Sequence, residues 1–95
     1  MTVLEVLKAA RARIENPENW CQHEMFGPGG SCCAIGAVYN VAWDARARDC
    51  ARKRMDAASC RLFDGRRAVR VNDTFGHAAV LRIFDAAIAD EEARP

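Results

Sequence analysis

The sequence predicts a mainly α-helical protein, a compact bundle of about four helices that forms one small domain over residues 1–95. Three observations predict this class. Apolar residues recur at intervals of three and four along most of the chain, which is the period of an amphipathic helix. Proline and glycine clusters separate these stretches, as they do at turns. Much of the apolar content, which is 51% of the sequence, is alanine, so we expect closely packed helices around a shallow core.

The first helix is predicted by its N-terminal signature. Thr2 and Glu5 have the spacing of a capping box, in which a hydroxyl and a carboxylate each bind a free backbone N–H. The helix should end at about Glu15, because Asn16 precedes Pro17 and is therefore disfavoured in helical geometry. Its apolar face consists of Val3, Leu7, Ala10 and Ile14, with Leu4 and Val6 beside it.

Residues 17–30 are predicted to form a structured loop after helix one. The loop ends in the turn-forming run Gly27-Pro28-Gly29-Gly30. Trp20 and Phe26 are too apolar to favour full exposure to solvent. We therefore expect this Trp/Gly/Pro loop to fold back over the core.

Two further helices are predicted in the middle of the chain. Ser31 is the expected N-cap of the second helix, since a serine hydroxyl accepts backbone N–H groups well. Gly36 and Ala37 at its edge would allow another helix to approach closely. A third, arginine-rich helix should run from Asp44 to about Phe63, and the sequence leaves open whether it continues the second or kinks near Asp44. The apolar stripe of the second helix is Ile35, Val38, Tyr39, Ala42 and Trp43.

The remaining elements follow a turn at Asp64-Gly65. Residues 68–71 contain two valines and are predicted to be extended. Asp73 or Thr74 should cap the last helix, since both residue types are good N-caps. The apolar stripe of that helix is Val80, Leu81, Phe84, Ala87 and Ile88.

Two adjacent thiols at the start of the second helix are the first candidates for chemistry. Cys32 falls on the flank of the apolar stripe and Cys33 points away from it, so we expect Cys32 in the core and Cys33 accessible. If His77 approached Cys33, it could act as the base of a cysteine nucleophile. Asn72 or Asp73 could then orient the imidazole, and Gln22 could donate to a developing oxyanion.

The same residues have a purely structural interpretation. Cysteine often behaves as a small apolar residue at a tight helix contact. His77 would then form a hydrogen bond across the core, and Asn72-Asp73 would form a turn before a helix. The sequence favours this packing junction over a catalytic site.

The run from Gln22 to Ala34, which ends in Gly30-Ser31-Cys32-Cys33-Ala34, resembles the glutamine and the Gly-Ser-Cys-Trp-Ala stretch of papain-like cysteine proteases. The resemblance implies that Cys32 would be the nucleophile of a cysteine hydrolase. In this chain Cys33 occupies the position of the tryptophan, and the strand-rich lobe that carries the histidine in those proteases has no counterpart.

Charge is distributed unevenly, although the net charge is only +1. Residues 44–70 contain nine Lys or Arg and four Asp, whereas residues 71–95 contain two Arg and five acidic residues. Basic side chains could contact nucleic-acid phosphates. The interleaved aspartates instead predict a solvated face with salt bridges along the helix. The candidate binding residues are Arg46, Arg48, Arg52, Lys53, Arg54, Arg66, Arg67 and Arg70.

A metal site is disfavoured by the spacing of its possible ligands. Cys21, His23, Cys32 and Cys33 are residue types that bind zinc. Structural zinc sites, however, separate the members of each ligand pair by a few residues, and adjacent cysteines do not. We expect neither a metal nor another cofactor.

Three motifs together resemble a known family. They are Trp20-Cys21-Gln22, Cys33-Ala34-Ile35-Gly36-Ala37 and Asn72-Asp73, followed by an amphipathic helix that ends in Phe84-Asp85-Ala86-Ala87-Ile88. This order of motifs is similar to that in a family of small bacterial and phage proteins, which is described only as a domain of unknown function. The resemblance spans most of the chain and implies that the three motifs form one packed unit. It brings no activity or ligand with it.

The expected function follows from the absence of a complete catalytic set. We expect a non-catalytic module that binds a larger protein through its unevenly charged surface. We expect it in the cytoplasm, because five cysteines are an odd number and no leader or membrane-spanning pattern is present. By analogy with small phage proteins, the partner would be a host or defence complex that the module modulates or inhibits. The alternatives are a cysteine hydrolase that uses Cys32 or Cys33 with His77, and a nucleic-acid-binding protein that uses residues 46–70.

Overall fold

A computed structural model describes residues 1–94 and shows five α-helices in that part of the chain, with no strand. Two short 3₁₀ turns, Pro17–Asn19 and Pro28–Gly30, lie between the first two helices. The mainly helical fold class is therefore confirmed, with one helix more than the four expected. The helices are α1 (Val3–Ile14), α2 (Ala34–Val41), α3 (Ala45–Leu62), α4 (Ala68–Thr74) and α5 (His77–Glu92).

The core forms where α1, α3 and α5 meet. Leu7 and Ile14 of α1, Met55 of α3, and Ile83 and Phe84 of α5 are all fully buried. Helix α2 packs on α1, and the short helix α4 contacts α2, α3 and α5. Burial of side chains of this size stabilises the fold by roughly 1.5 to 3 kcal/mol each. The helices thus bury their apolar stripes against one another and position the loop between α1 and α2.

Ion pairs connect the arginine-rich helix α3 to the acidic end of α5. Arg54 Nε lies 3.0 Å from Glu91 Oε2, and Arg61 Nη1 lies 2.9 Å from Asp90 Oδ2. Partly exposed pairs of this kind contribute at most about 1 kcal/mol each. They nevertheless occupy two arginines of the basic segment within the molecule.

The predicted capping box at the start of α1 is confirmed. Thr2 Oγ1 accepts a hydrogen bond from the Glu5 N–H at 3.1 Å, and Glu5 Oε1 accepts one from the Thr2 N–H at 2.8 Å. The predicted stop is also confirmed, because α1 ends at Ile14 and Asn16 begins the next turn. These signals are local, so the sequence is sufficient to locate them.

The start of α2 differs from the prediction. Cys33, not Ser31, is the N-cap, and its Sγ accepts a hydrogen bond from the Gly36 N–H at 3.3 Å. The hydroxyl of Ser31 instead donates to the Pro28 carbonyl at 2.9 Å, which closes the glycine-rich turn. The serine therefore stabilises the end of the loop and a thiol caps the helix.

Helices α2 and α3 are separate. Ala42 and Asp44 both adopt extended geometry, and the Asp44 carboxylate caps α3 by accepting from the Arg46 N–H at 2.9 Å. Trp43 lies between them with 91% of its surface exposed. The prediction that Trp43 belongs to the buried stripe of α2 is wrong, because the helix ends before it and the helical period no longer applies.

The prediction that residues 68–71 are extended is also wrong. These residues begin α4, and the Ala68 N–H donates to Asp56 Oδ1 of α3 at 3.0 Å. The helix start is thus capped from a distant part of the chain. Asp73 and Thr74 belong to α4, and α5 is preceded instead by Gly76, whose φ of 93° favours glycine.

Candidate functional site

The side chain of Asn72 lies at the centre of the three sequence motifs. It is fully buried on α4. Its Oδ1 accepts hydrogen bonds from the Trp20 indole N–H at 2.7 Å and from the Ala34 N–H at 2.9 Å. Its Nδ2 donates to the Cys21 carbonyl at 3.0 Å and to Asp73 Oδ1 at 3.1 Å. Both donors and both acceptor directions of the amide are therefore satisfied.

Two further bonds fix the loop after α1 to the end of α4. The side-chain amide of Gln22 donates to the Asn72 carbonyl at 3.1 Å, and the His23 N–H donates to Asp73 Oδ1 at 2.8 Å. Gln22, the candidate oxyanion donor, is thus bound to the backbone of α4. We call the set Trp20, Cys21, Gln22, Ala34, Asn72 and Asp73 the Asn72 junction.

The loop backbone also packs directly on α2. The Cys33 N–H donates to the Met25 carbonyl at 3.1 Å. A Cβ on Gly36 would lie 2.1 Å from that same carbonyl oxygen, a distance that real contacts do not reach. Gly36 is therefore needed for the approach of the loop. The predicted approach of another helix at this glycine is wrong.

The two adjacent thiols are both in the interior. Cys32 is fully buried, as predicted, but Cys33 is only 7% exposed and the prediction that it is accessible is wrong. Burial raises the pKa of both thiols above the ordinary value. At Cys33 the N–H groups of Gly36 and Ile35 act in the opposite direction without cancelling the effect of burial. An activated cysteine needs the reverse, a lowered pKa.

His77 is bound to the end of α1. Its Nε2 lies 2.7 Å from the Ile14 carbonyl oxygen, which can only accept, so Nε2 carries the hydrogen. The ring also packs edge-on against Trp20, with centroids 5.4 Å apart. Within residues 1–94 the imidazole forms no hydrogen bond to Cys32 or Cys33. The structure therefore brings Asn72, Cys33 and His77 to the same loop, but the hydrogen bond of His77 goes to α1 and not to a thiol.

We expect alkylation to distinguish a structural role of the thiols from a catalytic one. Iodoacetamide at about pH 8 should modify Cys21, Cys50 and Cys60 before Cys32 and Cys33, because burial and a raised pKa both suppress the thiolate. Timed peptide mass spectrometry measures the order, and all five should react alike in urea. Fast modification of Cys32 or Cys33 in the folded protein would support the hydrolase instead.

A surface groove lies beside the Asn72 junction. Its first part has a volume of about 240 Å³ and reaches Cys33 and Asn72. Its walls continue past Met25, Ile35 and Val69 to a second depression at Tyr39. The residues lining the first part are His23, Glu24, Met25, Cys33, Ile35, Val69, Asn72 and Asp73.

The basic residues proposed from the sequence lie in several different surroundings. Arg46 is in the first turn of α3, and Lys53 lines a depression with Arg52 and Arg67. Arg48 lies over the Tyr39 ring, Arg52 lies 4.0 Å from Asp56, and Arg54 pairs with α5. Arg66, Arg67 and Arg70 instead surround the turn between α3 and α4. The same region contains Phe63, Phe75 and Arg82, which the sequence does not indicate as binding residues. Their helical spacing gave no indication that the turn brings them together.

Within the described residues, no group of three or more His, Cys, Asp or Glu is arranged to hold a metal ion. None of the helices in residues 1–94 is long and apolar enough to cross a membrane.

Comparison with known proteins gives a family but no activity. The model of a family of unknown function, DUF6197, matches residues 1–90. That span includes all three motifs of the Asn72 junction. Neither a curated protein nor a solved structure matches the sequence. The chain therefore belongs to the family of unknown function DUF6197.

Proposed function

We propose that the protein is a small, non-catalytic binding module that attaches to a larger protein and modulates or inhibits it. The observation that carries this proposal is Trp43, which is 91% exposed on the turn between α2 and α3. The resemblance of the motifs to small bacterial and phage proteins favours a partner in a host or defence complex.

An exposed tryptophan is costly unless it has a partner. Tryptophan has one of the largest apolar surfaces of any side chain and is enriched among the residues that dominate binding energy at interfaces. Met1 beside it is 54% exposed, and the two side chains with Asp44 line a shallow depression of about 140 Å³. The surface is thus an apolar anchor with an acidic neighbour.

The fold itself does not need the indole of Trp43. The turn is fixed by Asp44, whose carboxylate caps α3, and by the end of α2 at Val41. Replacement of the indole should therefore change binding with little effect on stability. Replacement of Gln22, Asn72 or His77, the candidate catalytic residues, would instead break hydrogen bonds within the protein.

The test is affinity capture from the lysate of the source cells with three forms of the protein. Wild type should retain one protein at a stoichiometric level, and Trp43→Ser should reduce its recovery by roughly tenfold or more, as expected for an interface hot spot. Phe26→Ser is the matched control, since Phe26 is a half-exposed aromatic residue in the loop after α1. It should leave recovery unchanged.

Two results would contradict the proposal. A blank resin is the reference for wild type. If both recover the same lysate proteins in equal amounts, the protein has no stable partner there. Equal losses with Trp43→Ser and Phe26→Ser would show that Trp43 is not the anchor. Thermal unfolding of both variants, monitored by circular dichroism, checks that the folded state is retained.

A further inference from the structure

A second surface of the molecule combines aromatic rings with arginines. The rings of Phe63 and Phe75 lie 5.5 Å apart, centroid to centroid, and are inclined by 32°. The guanidinium carbon of Arg66 lies 5.4 Å from the centroid of Phe75, and that of Arg82 lies 5.3 Å from the centroid of Phe63. The four side chains form one stacked group, which we call the Phe63–Phe75 stack. Phe75 remains 49% exposed.

More positive charge lies next to this stack. Arg66, Arg67 and Arg70 line an open depression of about 490 Å³ with Asp64 and Gly65. Arg82 adds a fourth arginine through its contact with Phe63. This cluster of positive charge contrasts with the net charge of the protein, which is only +1.

The arginines of this region differ in their partners from several arginines of α3. Arg54 and Arg61 of α3 are paired with carboxylates of α5. Among the residues that the structure describes, no carboxylate oxygen lies within 4.0 Å of a side-chain nitrogen of Arg66, Arg67, Arg70 or Arg82. Arg66 Nη1 donates to the Phe63 carbonyl at 2.9 Å, a neutral acceptor that leaves its positive charge in place. The charge of the four arginines is therefore not neutralised by a carboxylate and can attract an anionic ligand.

We propose that the Phe63–Phe75 stack and the adjoining arginines bind single-stranded nucleic acid. Phosphates would contact Arg66, Arg67 and Arg70, which attract a polyanion by charge. An unpaired base would stack on the exposed part of Phe75 or on the guanidinium plane of Arg66. A duplex keeps its base faces covered, so it would engage the arginines without the ring. This surface is separate from Trp43 and does not depend on the proposed protein partner.

Fluorescence anisotropy with a fluorescein-labelled oligothymidylate and oligouridylate tests this proposal. Wild type should bind either strand, and about three phosphate contacts predict a slope of log K against log salt near −2. Arg70→Glu should weaken binding by about tenfold or more, because it replaces an attractive contact with a repulsive one. Arg46→Glu changes the net charge equally but lies at the start of α3, outside the stack, and should have little effect.

The contribution of the ring needs its own variant. Phe75→Leu keeps an apolar side chain but removes the stacking surface, and we expect binding to weaken about tenfold. If this variant proves unstable, Arg82→Gln provides a second test of the stack from its other end. Trp43→Ser should bind the oligonucleotides as wild type does, which separates this site from the protein-binding surface.

Several outcomes would overturn the assignment. Absence of binding at low salt would exclude it, as would equal weakening by Arg46→Glu and Arg70→Glu, which would indicate only a general charge effect. If polyglutamate competed as well as unlabelled oligothymidylate and Phe75→Leu had no effect, the surface would be one for acidic proteins. None of these results would alter the prediction for Trp43.

Discussion

Replacement of Asn72 by alanine is expected to lower the free energy of unfolding by about 3 to 6 kcal/mol. The change leaves the Trp20 indole N–H, the Ala34 N–H and the Cys21 carbonyl without their buried partner. An unsatisfied buried group costs about 1 to 3 kcal/mol, and the bonds of Trp20 and Cys21 are only partly buried, so their loss costs amounts near the lower limit. A protein of this length has a total stability of roughly 5 to 14 kcal/mol, so the variant should be close to unfolding.

A second variant separates hydrogen bonding from the loss of volume. Asn72→Asp keeps the shape and the acceptor but loses both donors, and it places a carboxylate against Asp73 Oδ1, which lies 3.1 Å from the present amide. Its destabilisation should equal or exceed that of Asn72→Ala at neutral pH. Urea unfolding followed by circular dichroism measures both. Asn40→Ala, at an exposed position of α2, is the control and should be nearly neutral. A cost below about 1 kcal/mol for Asn72→Ala would show that water replaces the amide without loss.

Replacement of Gly36 by alanine is expected to destabilise the protein by about 3 kcal/mol, although alanine is the better helix former. The new Cβ would meet the Met25 carbonyl oxygen at 2.1 Å and its carbon at 3.0 Å. These are backbone atoms, so no side-chain rotation relieves the overlap. If the loop moved away, the hydrogen bond from the Cys33 N–H to that carbonyl would be broken.

The control for Gly36→Ala is again Asn40→Ala, because both place alanine on α2. Helix propensity alone predicts that both variants gain stability. The structure predicts opposite signs, with a gain or no change at Asn40 and a large loss at Gly36. A raised melting temperature for Gly36→Ala would mean that the loop is not held against α2 in solution.

The parts of the fold that the sequence predicts correctly depend on near neighbours. The capping box of Thr2 and Glu5 spans three residues, and the stop before Pro17 depends on adjacent backbone sterics. In each case the atoms that decide the structure are within a turn of each other, so a local pattern is sufficient.

The errors arise where a distant residue determines the local structure, or where a helix ends before the apolar spacing of the sequence does. Helix α4 contains β-branched valines that favour a strand, but Asp56 caps its first N–H from α3. Trp43 continues the spacing of α2 in the sequence, but the helix has already ended. The prediction of an accessible Cys33 depends on its angle on a helix, but Cys33 precedes the helix as its N-cap and its Sγ accepts the Gly36 N–H.

The sequence predicts that the three motifs pack into one unit, but it does not predict the hydrogen bonds that join them. The expectation that the three motifs pack together is confirmed by the bonds from Asn72 to Trp20 and Ala34. The sequence did not indicate which polar residue occupies the centre, since Asn72 and Asp73 are equally plausible in a turn. It also did not indicate that His77 binds the Ile14 carbonyl, because no periodicity relates residues 63 positions apart.

The hydrogen bonds of the Asn72 junction and of His77 join the first two helices to parts of the chain that are synthesised later. Trp20 obtains its acceptor 52 residues later, the first N–H of α2 obtains its acceptor 38 residues later, and the last turn of α1 receives its donor from His77. During synthesis, the first two helices therefore leave the ribosome before their native hydrogen-bond partners in α4 and α5 have been made. Closure of such long loops is slow compared with helix formation. The N-terminal half thus becomes native only when most of the chain has been made.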